Sequence, residues 1–170
     1  DKKFLTIFFS DIVSFTTISD TMPSAPLTKM LNDYLTKMTD IALSYGATID
    51  KYIGDAIMIF FGDPETKGQV QDATRCVEMA KQMQIEMKKM SPEWMEFYSL
   101  SAPLEIRIGI NSGECTVGNF GSERRLDYTV IGSSVNLASR LETQAPHSGI
   151  LISDTTYSLI GSNIECNELG

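Results

Sequence analysis

Asp11 follows a short apolar, aromatic-rich run from Phe4 to Phe9, and Asp55 stands in the Gly54-Asp55 pair between two strand-like runs, Thr48 to Ile53 and Ala56 to Phe61. A two-residue link between β-rich runs is the signature of a tight hairpin. With the first strand beside that hairpin, the two carboxylates face each other at neighbouring strand ends. Unaided, that is a like-charge pair and costs energy. Around two divalent cations about 3.5–4 Å apart it is a clamp for phosphoryl chemistry. The plainer reading is that Asp11 caps the segment after it and Asp55 is an ordinary turn residue. Lys51 alternates with Ile49 and Ile53, which puts a cation on an apolar strand face, where a snorkelling surface lysine is the bland account. Asn136 and Arg140 are spaced to share one helix face, with Val135, Leu137, Ala138 and Leu141 on the other side. The usual meaning of such a pair is a solvated polar face. His147, the only histidine, lies in a loop without a partner for proton transfer.

The elements that must hold these residues are legible along the chain. Phe4 to Phe9 reads as a buried strand. Leu27, Met30, Leu31, Tyr34, Leu35, Met38, Ile41 and Tyr45 recur at helical spacing, with Pro26 near the start and Gly46 after the end. The hairpin follows, then a second helix from about Lys67 to Met90. Ser91 to Pro103 reads as a connector whose Trp94, Phe97 and Tyr98 pack locally. Leu104 to Asn111 alternates as a half-buried strand; Glu114 to Val117 and Asp127 to Ile131 are two further strands, with Gly118 to Ser122 as a loop between them. Ser133 caps a helix reaching about Thr143, Ile150 to Ser153 is a last strand, and Asp154 caps a short helix. The order predicts an α+β fold with a ferredoxin-like β-α-β-β-α-β core, additional C-terminal strands and helices, and an antiparallel or mixed sheet. The antiparallel hairpin argues against a Rossmann fold.

The chain has 170 residues, 42% hydrophobic and 21% charged, the size and composition of one ordinary domain spanning 1–170. No apolar run approaches the ~20 residues needed to cross a bilayer. With 14 Lys and Arg against 22 Asp and Glu, the formal charge is −8, which disfavours a nucleic-acid binder or an anionic-membrane binder. A polyanionic ligand would need positive charge from elsewhere. Cys76, Cys115 and Cys166 are too scattered for a zinc site or a disulfide framework, in keeping with a cytoplasmic setting. The nine methionines read as gap-filling core. The first residues carry no initiator Met or signal-peptide pattern and the last ones no clear closing element, so the expectation is a domain cut from a longer protein, with regulatory domains elsewhere in it.

Three local sequences add a resemblance. Phe9-Ser10-Asp11-Ile12-Val13-Ser14-Phe15-Thr16 matches the F-x-D-I-x-x-F-T start of the class III nucleotidyl cyclase catalytic domain. Asp50-Lys51-Tyr52-Ile53-Gly54-Asp55-Ala56 resembles that family's second metal-site hairpin, and Gly132-Ser133-Ser134-Val135-Asn136-Leu137-Ala138-Ser139-Arg140 its G-x-x-V-N-x-A-x-R helix. In the expected order they span residues 4 to about 160, and the likeness is nearest to bacterial adenylate cyclases of this class. The resemblance implies that Asp11, Asp55 and the Ile12 carbonyl hold two divalent cations, Mg²⁺ or Mn²⁺. Backbone amides from Val13, Ser14, Phe15 and Thr16 would cradle phosphate oxygens. Asn136 would orient the ribose, Arg140 would stabilise charge on the transferring phosphoryl group, and Arg124 or Arg125, with a lean to Arg125, would touch the triphosphate. ATP would become 3′,5′-cyclic AMP and pyrophosphate.

The same resemblance implies the base. Lys51 occupies a position that is Lys in adenylate cyclases and typically Glu in guanylate cyclases; Lys donates to adenine N1, whereas guanine N1 carries a proton. The partner position is Thr129, where Asp is commoner; its hydroxyl can accept from the adenine amino group. Some members with Thr respond to bicarbonate, which makes stimulation by bicarbonate an expectation here. ATP is too long for Lys51 and Asp55 to serve one molecule from one chain, so the family arrangement is a head-to-tail homodimer with two shared sites. The family's phosphate-binding Lys near the domain end is not found before Gly170, which suggests an incomplete C-terminal end. A guanylate cyclase, or a silent nucleotide-binding regulatory module, is the alternative; a diguanylate cyclase lacks support, because no G-G-[DE]-E-F turn is present.

Overall fold

The computed structural model describes residues 1–161 and 164–169. Eleven elements follow one another: β1 (Lys2–Ile12), α1 (Phe15–Thr21), α2 (Ser24–Ser44), β2 (Thr48–Ile53), β3 (Ala56–Phe61), α3 (Gln69–Phe97), β4 (Ile106–Ser122), β5 (Arg125–Ile131), α4 (Ser133–Gln144), β6 (Ile150–Ile152) and α5 (Asp154–Ile160). The six strands form one sheet in the order β2-β3-β1-β4-β5, with β6 added parallel to β4. The first four strands therefore take the expected ferredoxin-like order, and the remaining strands and helices are the additions. No described helix is long and apolar enough to cross a membrane.

β1 is the central strand. It pairs antiparallel with β3 from Thr6↔Phe61 to Ser10↔Ile57, and with β4 from Lys2↔Thr116 to Ile12↔Ile106. Its apolar run is continuous because both of its faces are covered. Phe8 and Ile12 join a core with Met30, Tyr34 and Met38 of α2 and Met79, Met83 and Met87 of α3. Leu5 and Ile7 join a second core on the other face, with Val117, Val130, Val135 and Ala138. The methionines of α3 fill core space, as composition suggested.

Four expectations need correction. The helix expected to stop near Met90 runs on through Pro92 to Phe97. Proline costs that helix one hydrogen bond, but the segment is anchored from outside: the buried Ser91 hydroxyl donates to the Leu104 carbonyl at 3.1 Å, and the hydroxyl of Tyr98, on which Trp94 and Phe97 stack edge-on, donates to Asp33 of α2 at 2.9 Å. The loop expected at Gly118 to Ser122 is strand, making β4 a single 17-residue strand paired with β5 from Thr116↔Ile131 to Ser122↔Arg125. Its glycines hid the two-residue period. Gly121, at φ 140°, is needed there because a Cβ would lie 2.1 Å from the Arg125 carbonyl oxygen. The caps move by one residue: Gly132 rather than Ser133 caps α4, and Ser153 rather than Asp154 caps α5, its hydroxyl accepting from the Thr156 amide. A short helix, α1, also precedes the long one.

Gly109 of β4 is where α4 lies directly on the sheet: a Cβ there would come within 2.1 Å of the Glu142 amide nitrogen and 2.6 Å of its Cα. Backbone cannot yield as a flexible side chain can. Gly109→Ala is expected to cost about 3 kcal/mol, the upper range for overpacking, which is roughly 6–12 °C in melting temperature at this chain length. Thermal unfolding followed by circular dichroism measures it.

Candidate active site

The ladder between β1 and β3 ends at Ser10↔Ile57, so beyond it β1 has no backbone partner on that side. Asp55, at the tip of the β2–β3 hairpin, takes over: its carboxylate accepts from the Ile12 amide at 2.8 Å. In an antiparallel strand the N–H and C=O of one residue point the same way, so the Ile12 carbonyl is aimed toward the hairpin as well. Asp55 in turn feels the like charge of Asp11, one residue earlier on β1. Burial is the main reason the Asp55 carboxyl lies above its usual range, with the Asp11 charge adding to it and the Ile12 amide opposing it. The structure thus brings Asp11, Ile12 and Asp55 together at one end of the sheet.

Two residues that the sequence did not single out complete this end. Arg107 stands opposite Asp11 in the β1–β4 register and grips its carboxylate through both branches of the guanidinium, Nε at 3.2 Å and Nη2 at 2.9 Å. That grip holds the guanidinium above its usual range. Glu142 of α4 is buried at 6% exposure, 3.7 Å from Arg107 Nη2. Burial first, and a hydrogen bond with Asp11 second, push its carboxyl up to about 8. Arg107 was detectable in principle, as an arginine on an isoleucine-alternating strand that pairs with Asp11. Glu142 was detectable from its helix angle, since it lies seven residues after Val135 on the buried side of α4.

Elsewhere Lys51 and Thr129 are brought to one carboxylate, that of Asp50, although β2 and β5 are opposite ends of the strand order. The long β4–β5 hairpin folds back over the sheet, so that the Thr129 hydroxyl donates to Asp50 at 2.5 Å, and Lys51 Nζ lies 3.7 Å from the same carboxylate. Next to it Tyr128 donates to the buried Asp63 at 2.6 Å. The apolar strand face expected around Lys51 is not buried: Ile53 is 59% exposed, and a bulge between Ile49 and Lys51 breaks the alternation.

Other expected residues are not joined to the acidic end. Asn136 and Arg140 are exposed on α4, as their spacing indicated. Arg140 lies about 200° around the helix from Glu142, at ~100° per residue, so α4 turns Glu142 inward and Arg140 away. Arg125 opens β5 beside the hairpin tip and is exposed, as is Arg124. Among the described residues no ion pair or hydrogen bond links Arg124, Arg125 or Arg140 to Asp11 or Asp55. Of the four amides expected to cradle phosphate, that of Val13 is already used, donating to the Glu105 carbonyl at 2.8 Å. Ser14 caps α1 in the left-handed region at φ 56°, and Phe15 and Thr16 form its first turn, where amides have no partner within the helix. His147 is exposed in the turn before β6.

The Glu142 shift has a sign that can be checked. Between its ordinary 4.5 and about 8, the folded protein keeps a proton that the unfolded chain has released, so this residue's contribution to stability falls as pH rises through that window. In metal-free buffer the melting temperature of Glu142→Gln relative to wild type is expected to climb from about pH 5 to about pH 8 and then level off. A difference independent of pH would mean that Glu142 ionises as an ordinary surface glutamate does.

Comparison with known proteins shows the family. Residues 1–170 match the family described as the adenylate and guanylate cyclase catalytic domain. The chain is 38% identical over 165 residues to the terminal-differentiation-specific adenylate cyclase of Dictyostelium discoideum, covering 96% of this chain and 7% of that protein. It therefore spans a small part of that relative's length. Among solved structures it resembles the adenylyl cyclase CyaB from P. aeruginosa (52% identity, TM-score 0.91, 94% of this chain and 81% of that one). It also resembles the guanylyl cyclase Cya2 (38% identity, TM-score 0.91, 99% and 83%). The chain belongs to the family of adenylate and guanylate cyclase catalytic domains.

Proposed function

We propose that this chain is the catalytic domain of an adenylate cyclase, converting ATP to 3′,5′-cyclic AMP and pyrophosphate at sites shared by two head-to-tail copies. The observation that carries the reading is the meeting of Asp11, Asp55 and the Ile12 carbonyl at one sheet end. These donors are all hard oxygens. Among the described residues no group of three or more His, Cys, Asp or Glu is arranged to hold a metal by itself. Two carboxylates and a carbonyl suit Mg²⁺ or Mn²⁺, which fill their remaining positions with water and substrate phosphate. When bound, such ions supply the charge that makes the ribose 3′-hydroxyl acidic and neutralises the triphosphate.

The chain's own residues do the rest. The amides of Ser14, Phe15 and Thr16 receive phosphate oxygens at the entry to α1, without Val13. Asp11 and Asp55 hold the acidic end in register beside them. Arg140, facing away from its own Asp11, serves the nucleotide bound to the acidic end of the second copy, where it stabilises charge on the α-phosphoryl group. Asn136 orients the ribose there and Arg125 touches the triphosphate. Lys51 donates to adenine N1 and Thr129 accepts from the amino group. The 3′-oxygen attacks the α-phosphorus in line, the bond to pyrophosphate breaks, and positioning and charge account for most of the rate.

Two measurements test this. With ATP or GTP as substrate and Mn²⁺ or Mg²⁺ present, cyclic AMP is expected as the main product; cyclic GMP as the main product would reverse the base assignment. Asp55→Ala and Arg140→Ala are each expected to lower turnover at least about 100-fold, the scale of one lost charge-stabilising group. Mixed in equal amounts they should recover about a quarter of wild-type activity, since half the dimers are mixed and each has one intact site of two. No recovery despite demonstrated mixed dimers would eliminate the shared site.

A further inference from the structure

We propose that Asp50 is a specificity-determining positioning residue: it fixes the Thr129 hydroxyl as an acceptor and so makes the site select a purine bearing an amino group at position 6. The inference rests on the adenylate reading above and adds the means by which a threonine performs it.

Asp50 owes its place to a defect in the strand. Ile49 pairs with Ile59, yet Lys51 pairs with Met58, so Asp50 is the extra residue of a β-bulge. A bulge re-aims a side chain out of the normal alternation. Here it turns a carboxylate into the fold: the Asp50 side chain is 2% exposed, while the neighbouring Lys51 side chain is 42% exposed. The carboxylate then meets both base-reading residues, the Thr129 hydroxyl at 2.5 Å and the Lys51 ammonium at 3.7 Å.

The hydrogen-bond inventory sets the consequence. A hydroxyl has one proton and two lone pairs, and an ionised carboxylate only accepts. Bonded to Asp50, Thr129 has spent its only proton and can offer a purine nothing but lone pairs. Lys51 has three donors, so one can lean toward Asp50 while others remain for the base. The pair thus presents donor and acceptor, complementary to adenine N1 and its amino group. Guanine presents the reverse, a proton on N1 and an acceptor at O6. A free threonine hydroxyl would turn and donate to O6; one held by Asp50 cannot. Because the carboxylate is covered, a base reads it only through Thr129.

A merely structural tie would act differently. The neighbouring bond from Tyr128 to Asp63 also pins β5 across the sheet, and loss of such a pin lowers turnover of every nucleotide alike. The test is therefore the ratio of kcat/KM for ATP to that for GTP, measured with Mn²⁺ on Asp50→Asn, Thr129→Ser, Thr129→Val and the Asp50→Asn/Thr129→Val double variant. Asp50→Asn is expected to lower the ratio about tenfold, the scale of one misdirected hydrogen bond, since an amide can donate where the carboxylate only accepted. Thr129→Ser should keep the ratio and Thr129→Val should collapse it. In the valine background Asp50→Asn should change it no further. An unchanged ratio in Asp50→Asn, or an equal fall in the valine background, overturns the inference; should Asp50→Asn not fold, equal ratios for the serine and valine variants do so. A wild-type preference for GTP overturns the adenylate reading and this inference with it, whereas a wild-type preference for ATP with an indifferent Asp50→Asn overturns this inference alone.

Discussion

The register of β1 is the constraint on which the site depends. This strand is hydrogen-bonded on both sides, to β3 and to β4, and it is buried on both faces. A slip of one residue would turn Asp11 into the core beneath α2 and bring Ser10 out in its place. Such a slip would have to break two ladders at once. The same register sets Arg107 opposite Asp11, and the early end of the β3 ladder frees the Ile12 amide for Asp55. Backbone pairing therefore sets Asp11 and Arg107 face to face before their side chains bond, and the free Ile12 amide draws Asp55 in from the hairpin tip.

The two remaining parts of the site follow from how the C-terminal additions lie on that sheet. Gly109 lets α4 approach the strands closely enough for Glu142 to enter the acidic cluster. A helix that buries residue 142 must turn residue 140 outward, so the position that joins the cluster and the position that, on the proposed reading, serves a second molecule are fixed together. The long hairpin of β4 and β5 folds back across the sheet until hydroxyls from Tyr128 and Thr129 reach Asp63 and Asp50. The acidic end and the group formed by Asp50, Lys51 and Thr129 thus occupy separate places on one chain, which is the geometry the proposed shared site needs.

Much of this was legible in the sequence where local chemistry decides the outcome. The bounds of β2 and β3 follow from their β-rich runs and the two-residue turn, and the long α2 follows from its period and the Gly46 stop. That Asp11 and Asp55 approach each other was foreseeable because the ferredoxin-like order makes their strands neighbours, whereas their reading as metal ligands came from the family resemblance of the sequences around them. What was hidden depends on tertiary context. Pro92 reads as a helix end until Ser91 and Tyr98 are seen to anchor the segment. Gly118 to Ser122 reads as a loop because glycine masks the strand period. Arg107, Glu142 and Asp50 gain their meaning only from register, helix angle and a bulge, none of which a composition or a spacing announces.

The electrostatics of the acidic end explain why it would welcome the proposed cations. Asp11, Asp55 and Glu142 crowd one region of a chain whose formal charge is already −8. Burial raises the carboxyl of Asp55 and that of Glu142, and the proton retained on Glu142 and the guanidinium of Arg107 keep the cluster from carrying its full repulsion. A triphosphate brought to this surface would meet more negative charge than these two devices offset. Divalent cations reverse that balance: they compensate the carboxylates that repel one another and the phosphates that would repel them. On the proposed reading, nucleotide affinity at this end is therefore conditional on the metal, a dependence that follows from the charge count of the cluster before any chemistry takes place.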